Sequence, residues 1–166
     1  MALVLPAIVF PSRASGAPGQ EGGPILQNRE AVFGDVEGKE WFLLEFTRAG
    51  KTIAMDRKAL EAIGMGGVYT VNFRQGNAAG GNQVSGLGAP NRYFGPFTTG
   101  DNRTLSIGNL ASTMMLAFIE PDGLKEYEYF SMLSRLSRWN LRDGKLTLYS
   151  SDSDGNETVM VFENRS

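Results

Sequence analysis

Short runs in which hydrophobic and polar residues alternate make up most of this chain, and glycine, asparagine or aspartate separates them. The runs lie at 40–46, 51–54, 68–73, 84–87, 92–98, 104–107, 139–141, 145–149 and 158–162. Alternation with a period of two, together with many β-branched and aromatic residues, is typical of β-strands. The Asp-Gly pairs at 143–144 and 154–155 predict tight hairpin turns between the last three strands.

Two segments have helical features instead. Asp56 can cap a short helix that runs to Ile63, and Gly64 can take the left-handed conformation that ends it. Asp122 is placed to cap a longer helix over 123–138. Apolar residues recur along this second helix at three- and four-residue spacing and form one stripe: Tyr129, Phe130, Leu133 and Leu136.

Many short strands and one substantial helix predict a mainly β (α+β) fold. We expect a curled antiparallel sheet or a small β-barrel, with the one long helix packed against it. The apolar stripe should be buried against the concave face of the sheet, because a helix with this spacing otherwise exposes a continuous apolar face to water. Glu128 falls on the opposite, solvated side of that helix.

The first 38 residues differ in composition from the rest. An apolar run at 2–10 is followed by small residues that a signal peptidase could accept, and 15–38 is rich in Gly, Pro, Glu and Gln. We expect a signal-like or flexible N-terminal segment and linker at 1–38, with processing between Ser15 and Gly23, and one domain at 39–166. A flexible arm is the alternative, because no basic region precedes the apolar run. No run reaches the ~20 apolar residues of a membrane span.

Composition removes several classes of chemistry. The 166 residues include no histidine and no cysteine, which excludes thiol nucleophiles, Cys/His metal sites and histidine general bases. The net charge is −2 and no cluster of basic residues occurs, so nucleic acid is not an expected partner. The oxygen-rich stretch at 152–157 is too short for a calcium loop and predicts a hairpin turn. We expect no catalytic residue, no cofactor and no metal.

The most specific pattern lies between Gly86 and Ala117. Asn91 in a Gly-rich turn is followed by Gly-Pro-Phe at 95–97, by a strand at 105–107 and by Thr-Met-Met at 113–115. This order resembles the central signature of the META-domain family of HslJ-like bacterial heat-shock proteins. The resemblance covers about residues 39–162 and implies a compact barrel-like fold carrying a helix. It also implies a bacterial cell envelope, periplasmic, lipoprotein or secreted setting and a role in the stress response, without supplying a reaction.

Six residues of this signature are candidates for a surface or motif role: Asn91, Arg92, Tyr93, Thr113, Met114 and Met115. Asn91 can stabilise a turn through the backbone two residues on, which favours a structural role for 91–93 over ligand contact. The two methionines, together with Phe118, could line an adaptable apolar groove, but we expect these residues to pack beneath the helix.

These features together predict a non-enzymatic, envelope-associated monomer that acts through a binding surface on an unknown protein partner, in stress tolerance or envelope maintenance. The alternative is a small barrel that holds an apolar ligand such as a lipid. An uncharacterised hydrolase is the third possibility. An empty interior would favour the carrier and a filled core the binding module. A cleft pairing acidic or hydroxyl groups with shifted pKa values would favour the hydrolase.

Overall fold

A computed structural model describes residues 29–76, 80–116 and 119–165. The signal-like run and the predicted processing region between Ser15 and Gly23 lie outside the described residues, and the domain boundary at residue 39 stays a prediction. Phe33 and Val36 precede that boundary and pack against the core.

The structure is built on antiparallel strands. These are β1 Glu40–Arg48, β2 Lys51–Ala54, β3 Thr70–Arg74, β4 Gln83–Leu87, β5 Arg92–Thr99, β6 Leu105–Ile107, β7 Ala111–Ser112, β8 Arg138–Arg142, β9 Lys145–Ser151 and β10 Glu157–Asn164. The order across the sheet is β6-β5-β4-β3-β1-β10-β9-β8, with β2 added to β1 and β7 added to β5. The two ends of this path approach each other, because Thr104 bridges Arg138 and the Leu105 N–H donates to the Ser137 carbonyl at 3.0 Å. The predicted mainly β, barrel-like fold is confirmed.

The turn chemistry follows the sequence closely. Asp143 and Gly144 have φ values of 51° and 73°, as a tight hairpin between β8 and β9 requires. The Asp152 carboxylate accepts bonds from the Asp154 and Asn156 N–H groups at 2.9 and 2.8 Å, which shapes the turn before β10. Both hairpins were predicted.

The short helix α1, Arg57–Ala62, is confirmed with its predicted cap. The Asp56 carboxylate accepts from the Ala59 N–H at 2.9 Å, and Gly64 has a φ of 75°. Arg57, however, is buried, which the sequence did not indicate. Its guanidinium donates to the carbonyls of Leu43, Val68 and Tyr69 at 2.7, 2.7 and 3.1 Å. Burial lowers the pKa of Arg57 to about 10, so the group stays charged at neutral pH.

The second helix, α2, is shorter than predicted. It spans Glu126–Ser134 rather than 123–138, and Asp122 does not cap it. Asp122 has a φ of 51° in a 3-10 turn at 121–123, a conformation that interrupts a helix, and its carboxylate accepts from the Asp56 N–H. The helix ends early because Ser137 is drawn into the sheet, where its N–H donates to the Tyr149 carbonyl. Among the described residues, no helix is long and apolar enough to cross a membrane.

The helix α2 crosses the end of the barrel where β1 and β9 finish and β3 and β5 begin. Tyr129 and Leu133 are fully buried, Leu136 is buried although it lies beyond the helix, and Phe130 is half-buried. The stripe therefore faces the core as predicted.

The opposite end of the barrel is covered by a 3-10 turn at 33–35. The Phe33 ring lies 5.2 to 5.5 Å, centroid to centroid, from Phe73, Phe97 and Trp139. Large side chains with less than 2% exposure fill the space between the two ends, among them Trp41, Phe46, Leu43, Phe162 and Leu146. Protein atoms therefore occupy the interior in which the alternative hypothesis placed a lipid.

Candidate binding site

Asn91 joins three parts of the molecule at the start of β5. Its side chain is 4% exposed. The Nδ2 group donates to the Met115 carbonyl at 2.9 Å and to Glu126 Oε2 at 2.6 Å. The Oδ1 atom accepts from the Met115 N–H at 2.7 Å and from the Thr113 hydroxyl at 2.8 Å. These bonds run to distant residues rather than to the local turn that the sequence predicted.

Glu126 completes this arrangement from the first turn of α2. Its Oε1 atom accepts from the Asn91 backbone N–H at 2.6 Å, so one carboxylate receives both the backbone and the side chain of Asn91. Bonds to a charged acceptor are stronger than neutral ones, and this pair fixes the helix to the strand. Sequence reasoning missed Glu126, because its signal is only an acidic residue near a helix start, which many helices have.

Tyr93 is buried below Asn91 in a tyrosine cluster, which consists of Tyr69, Tyr93 and Tyr129. The hydroxyls of Tyr93 and Tyr129 both donate to the Thr70 carbonyl, at 2.7 and 2.9 Å, and the Tyr69 hydroxyl donates to the Leu124 carbonyl. Burial raises the pKa of each of the three phenols above its ordinary value. The cluster is therefore neutral at physiological pH and acts as a set of hydrogen-bond donors.

Gly86 permits the close approach on which the tyrosine cluster depends. A Cβ at this position would lie 2.1 Å from the Thr70 carbonyl oxygen and 2.7 Å from the Tyr93 hydroxyl. Backbone oxygen cannot move away as a flexible side chain can, so a larger residue would displace β4 from β3.

The segment after β7 carries its apolar side chains on the outside. Met114, Met115 and Leu116 are 97%, 54% and 76% exposed. The expectation that the two methionines pack beneath the helix is therefore wrong. The reason is that Asn91 bonds the backbone N–H and carbonyl of Met115, so backbone rather than side chain faces inward. Phe118 lies outside the described residues.

Further contacts fasten this segment to β5. The Thr113 N–H donates to the Arg92 carbonyl at 3.0 Å, and the Arg92 N–H donates to the Thr113 hydroxyl at 3.2 Å. The Arg92 side chain itself is exposed. Phe94, 55% exposed, pairs in register with Ala111 on β7. We call the exposed set the apolar surface: Phe94, Ala111, Met114, Met115 and Leu116.

Among the described residues, the acidic and hydroxyl groups whose pKa values are raised by burial lie apart and do not line one cleft of the kind that a hydrolase would need. Burial raises the pKa of Glu37, but this residue precedes β1 near Gln75, at the far end of β3 from the tyrosine cluster. Within the described ranges, no group of three or more acidic side chains is arranged to hold a metal ion.

Comparisons with known proteins agree with this architecture. The META domain family model matches residues 35–166. A protein from Burkholderia xenovorans, solved by NMR, superimposes with a TM-score of 0.58 at 20% identity, over 96% of this chain and 99% of that one. A DUF4847 family protein from Bacteroides vulgatus, solved by crystallography, gives a TM-score of 0.51 at 15% identity, over 80% of this chain and 96% of that one. At such identities the likeness shows the fold alone.

Curated proteins give no significant match to the sequence. The META domain is not a known enzyme family. Its family model covers most of the chain and includes both the turn at Asn91 and the segment at 113–115 on which the sequence resemblance was based. This chain therefore belongs to the META-domain family.

Proposed function

We propose that this protein is a non-enzymatic binding module of the bacterial cell envelope and that the apolar surface is where a protein partner docks. One observation carries the proposal: three consecutive apolar side chains, Met114 to Leu116, are exposed on a backbone that hydrogen bonds hold in place. A contiguous exposed apolar patch on a soluble domain commonly marks an interaction site. Methionine suits such a site because its flexible, polarizable side chain adapts to the partner.

The fixed backbone lowers the cost of binding. A segment that must be ordered on association loses backbone entropy of ~1–2 kcal/mol per residue. Here the bonds from Asn91 to Met115 and from Arg92 to Thr113 order the segment before the partner arrives. Binding then orders side chains only, at ~0.5–1.5 kcal/mol each.

The proposed location in the cell envelope is supported by the sequence. The apolar run at 2–10 with small residues after it favours export, and the family resemblance favours a stress-related envelope role. The partner we propose is another envelope protein that presents an apolar groove, since Arg92 is the one charged residue among the six candidate residues.

A photo-crosslinking amino acid at Met114 tests the proposal in the native bacterium. We expect a discrete adduct in the envelope fraction, which the double substitution Met115→Ser and Leu116→Ser abolishes without changing the melting temperature. The matched control is the same crosslinker at Ile63, which is 63% exposed at the C-terminal end of α1, outside the apolar surface, and should give no adduct. Equal adducts from both positions, or none from Met114, would show that the apolar surface has no dedicated partner.

A deletion strain gives the functional arm of the same test. The wild-type gene should restore growth under heat or envelope stress, and the Met115→Ser, Leu116→Ser variant should not. Full restoration by that variant would separate the physiological role from the apolar surface.

A further inference from the structure

A groove of about 360 Å³ opens between the outer side of α2, the turn after β1 and the hairpin between β9 and β10. Ligand sites of small molecules commonly start at about this size, and the mouth of a barrel is a common place for them. Phe46, Leu124 and Met132 form its apolar floor, and each is buried. The groove lies at a different place from the apolar surface, since none of its lining residues belongs to that set.

One polar atom in the groove has no partner. Thr158 is 6% exposed and lines the groove, and its hydroxyl makes no hydrogen bond within the described residues. A buried hydroxyl without a partner destabilises the fold, which makes it unusual unless a group outside the chain bonds it. Ser150, the buried register partner of Thr158 on β9, differs in this respect, because its hydroxyl donates to the Met132 carbonyl at 2.6 Å.

The charged side chains on the rim differ in how many hydrogen bonds they already make. Arg48 is already bound to the Glu128 carboxylate at 2.6 Å and to the Gly123 carbonyl at 2.8 Å, so Glu128 is engaged rather than free on the solvated side. The Asp152 carboxylate is occupied by donors of its own turn. The Arg135 side chain, which lines the groove, makes no hydrogen bond or ion pair in the described part of the chain. Its charge is felt by the Asp152 carboxyl, whose pKa is lowered mainly by bonds from Asn156 and to a smaller extent by Arg135.

From this combination we infer that the groove binds a small carboxylate that carries an apolar group and an amide. Arg135 would bind the carboxylate, since its planar fork matches two carboxylate oxygens. The Thr158 hydroxyl would bond the amide, and the apolar group would lie on the floor formed by Phe46 and Met132. The same chemistry occurs in a free N-acyl amino acid and at the carboxyl terminus of a peptide.

N-acetylphenylalanine is a probe with these three features, and N-acetylphenylalanine amide is the matched neutral control. Titration of the isotope-labelled full chain, followed by NMR, should move the amide signals of Met132 and Thr158 with the acid. The amide should bind roughly tenfold more weakly, as the loss of one charge-assisted bond implies. Acetyl-Ala-Ala-Phe distinguishes the sources: tighter binding than the single residue indicates a peptide terminus, and equal binding a free acid.

Two variants assign the contacts. Arg135→Gln should weaken the acid roughly tenfold and leave the amide unchanged, whereas Arg142→Gln, the same change on the distant β8–β9 hairpin, should affect neither. Thr158→Val should weaken both probes while the melting temperature stays equal or rises, because it removes an unpartnered buried hydroxyl. A purely structural role for Thr158 would lower the melting temperature instead. Equal binding of acid and amide, equal affinity of the two arginine variants, or signals that move at 113–116 would overturn the proposal.

Discussion

Two substitutions of Asn91 test its hydrogen bonds and its contact with the Glu126 carboxylate separately. Asn91→Ala removes the four side-chain bonds to Thr113, Met115 and Glu126. At a net ~0.5–1.5 kcal/mol for each bond, and with some groups able to turn to water, we expect a loss of about 2–4 kcal/mol. For a domain of this size the melting temperature should fall by roughly 6–12 °C.

In Asn91→Asp the side chain keeps nearly the shape of asparagine, but one hydrogen-bond donor becomes an acceptor. It replaces the Nδ2 group, 2.6 Å from Glu126 Oε2, by a carboxylate oxygen. Two carboxylates this close cannot both be ionised cheaply, so the pair takes up a proton with a pKa above the unfolded values. The folded state then binds more protons than the unfolded state, and stability rises as pH falls. Asn91→Asp should be less stable than Asn91→Ala at pH 7 and recover towards pH 4.5.

Urea denaturation at pH 7.5, 6 and 4.5, with the wild type at each pH as baseline, measures the difference between the two variants. Hydrogen exchange adds a local measurement, because the Met115 N–H donates to Oδ1, an atom that aspartate keeps and alanine lacks. The Met115 amide should exchange faster in Asn91→Ala and stay protected in Asn91→Asp at low pH. A stability difference that does not vary with pH would refute the assigned contact with Glu126.

Three further predictions test the core. Leu133→Ala should cost ~2–5 kcal/mol, whereas Leu116→Ala, at a side chain 76% exposed, should stay within about 0.5 kcal/mol; equal thermal melts would show that Leu133 is not in the core. Burial raises the pKa values of the three phenols of the tyrosine cluster. The contribution of these protonated phenols to the free energy of unfolding is therefore complete below pH ~10, and above that pH it falls by about 1.4 kcal/mol per phenol per pH unit. The lowered pKa of Arg57 acts in the opposite direction, because it makes the free energy of unfolding rise with pH. Comparison of Tyr129→Phe with the wild type isolates one phenol. In urea denaturation at alkaline pH, the variant should lose stability less steeply than the wild type. Gly86→Ala should destabilise by at least ~1–3 kcal/mol because its Cβ would meet a backbone carbonyl at 2.1 Å, while Gly81→Ala, with open space around the Cβ, should be nearly neutral in the same melts.

The fold was predictable where the local sequence and the pairing in the sheet favour the same backbone conformation. The alternation along β5 and β10 and the Asp-Gly turn at 143–144 each specify one conformation, and the structure has it. The end of α2 was not predictable. Leu136 continues the apolar spacing of a helix, but the helix ends earlier because the Ser137 N–H bonds a carbonyl of the sheet. Helix propensity cannot reveal that competition, since the partner of Ser137 is Tyr149, which lies in β9.

The candidate site could likewise be predicted only in part from the sequence. The motif directed attention to Asn91 and to Met114 and Met115, and the structure brings these together. It gave no sign that Asn91 would bond Glu126, 35 positions away, or that the methionines would face outward. Apolar character predicts burial only on average, and here the inward position is taken by backbone.

The way the apolar segment is held also explains how a folded domain can expose it. An exposed apolar strand with free N–H and carbonyl groups is a template for pairing with other chains. After two residues of β7 the chain leaves the sheet, and Asn91 takes up both backbone polar groups of Met115. The segment therefore offers side chains but few backbone groups, which favours docking of a complementary surface over growth of a sheet. Asn91→Ala should release those groups, so the variant should aggregate more readily than Leu133→Ala at equal stability, as light scattering at matched fractions unfolded would measure. If the two aggregate alike, exposure of the core rather than of this edge governs association.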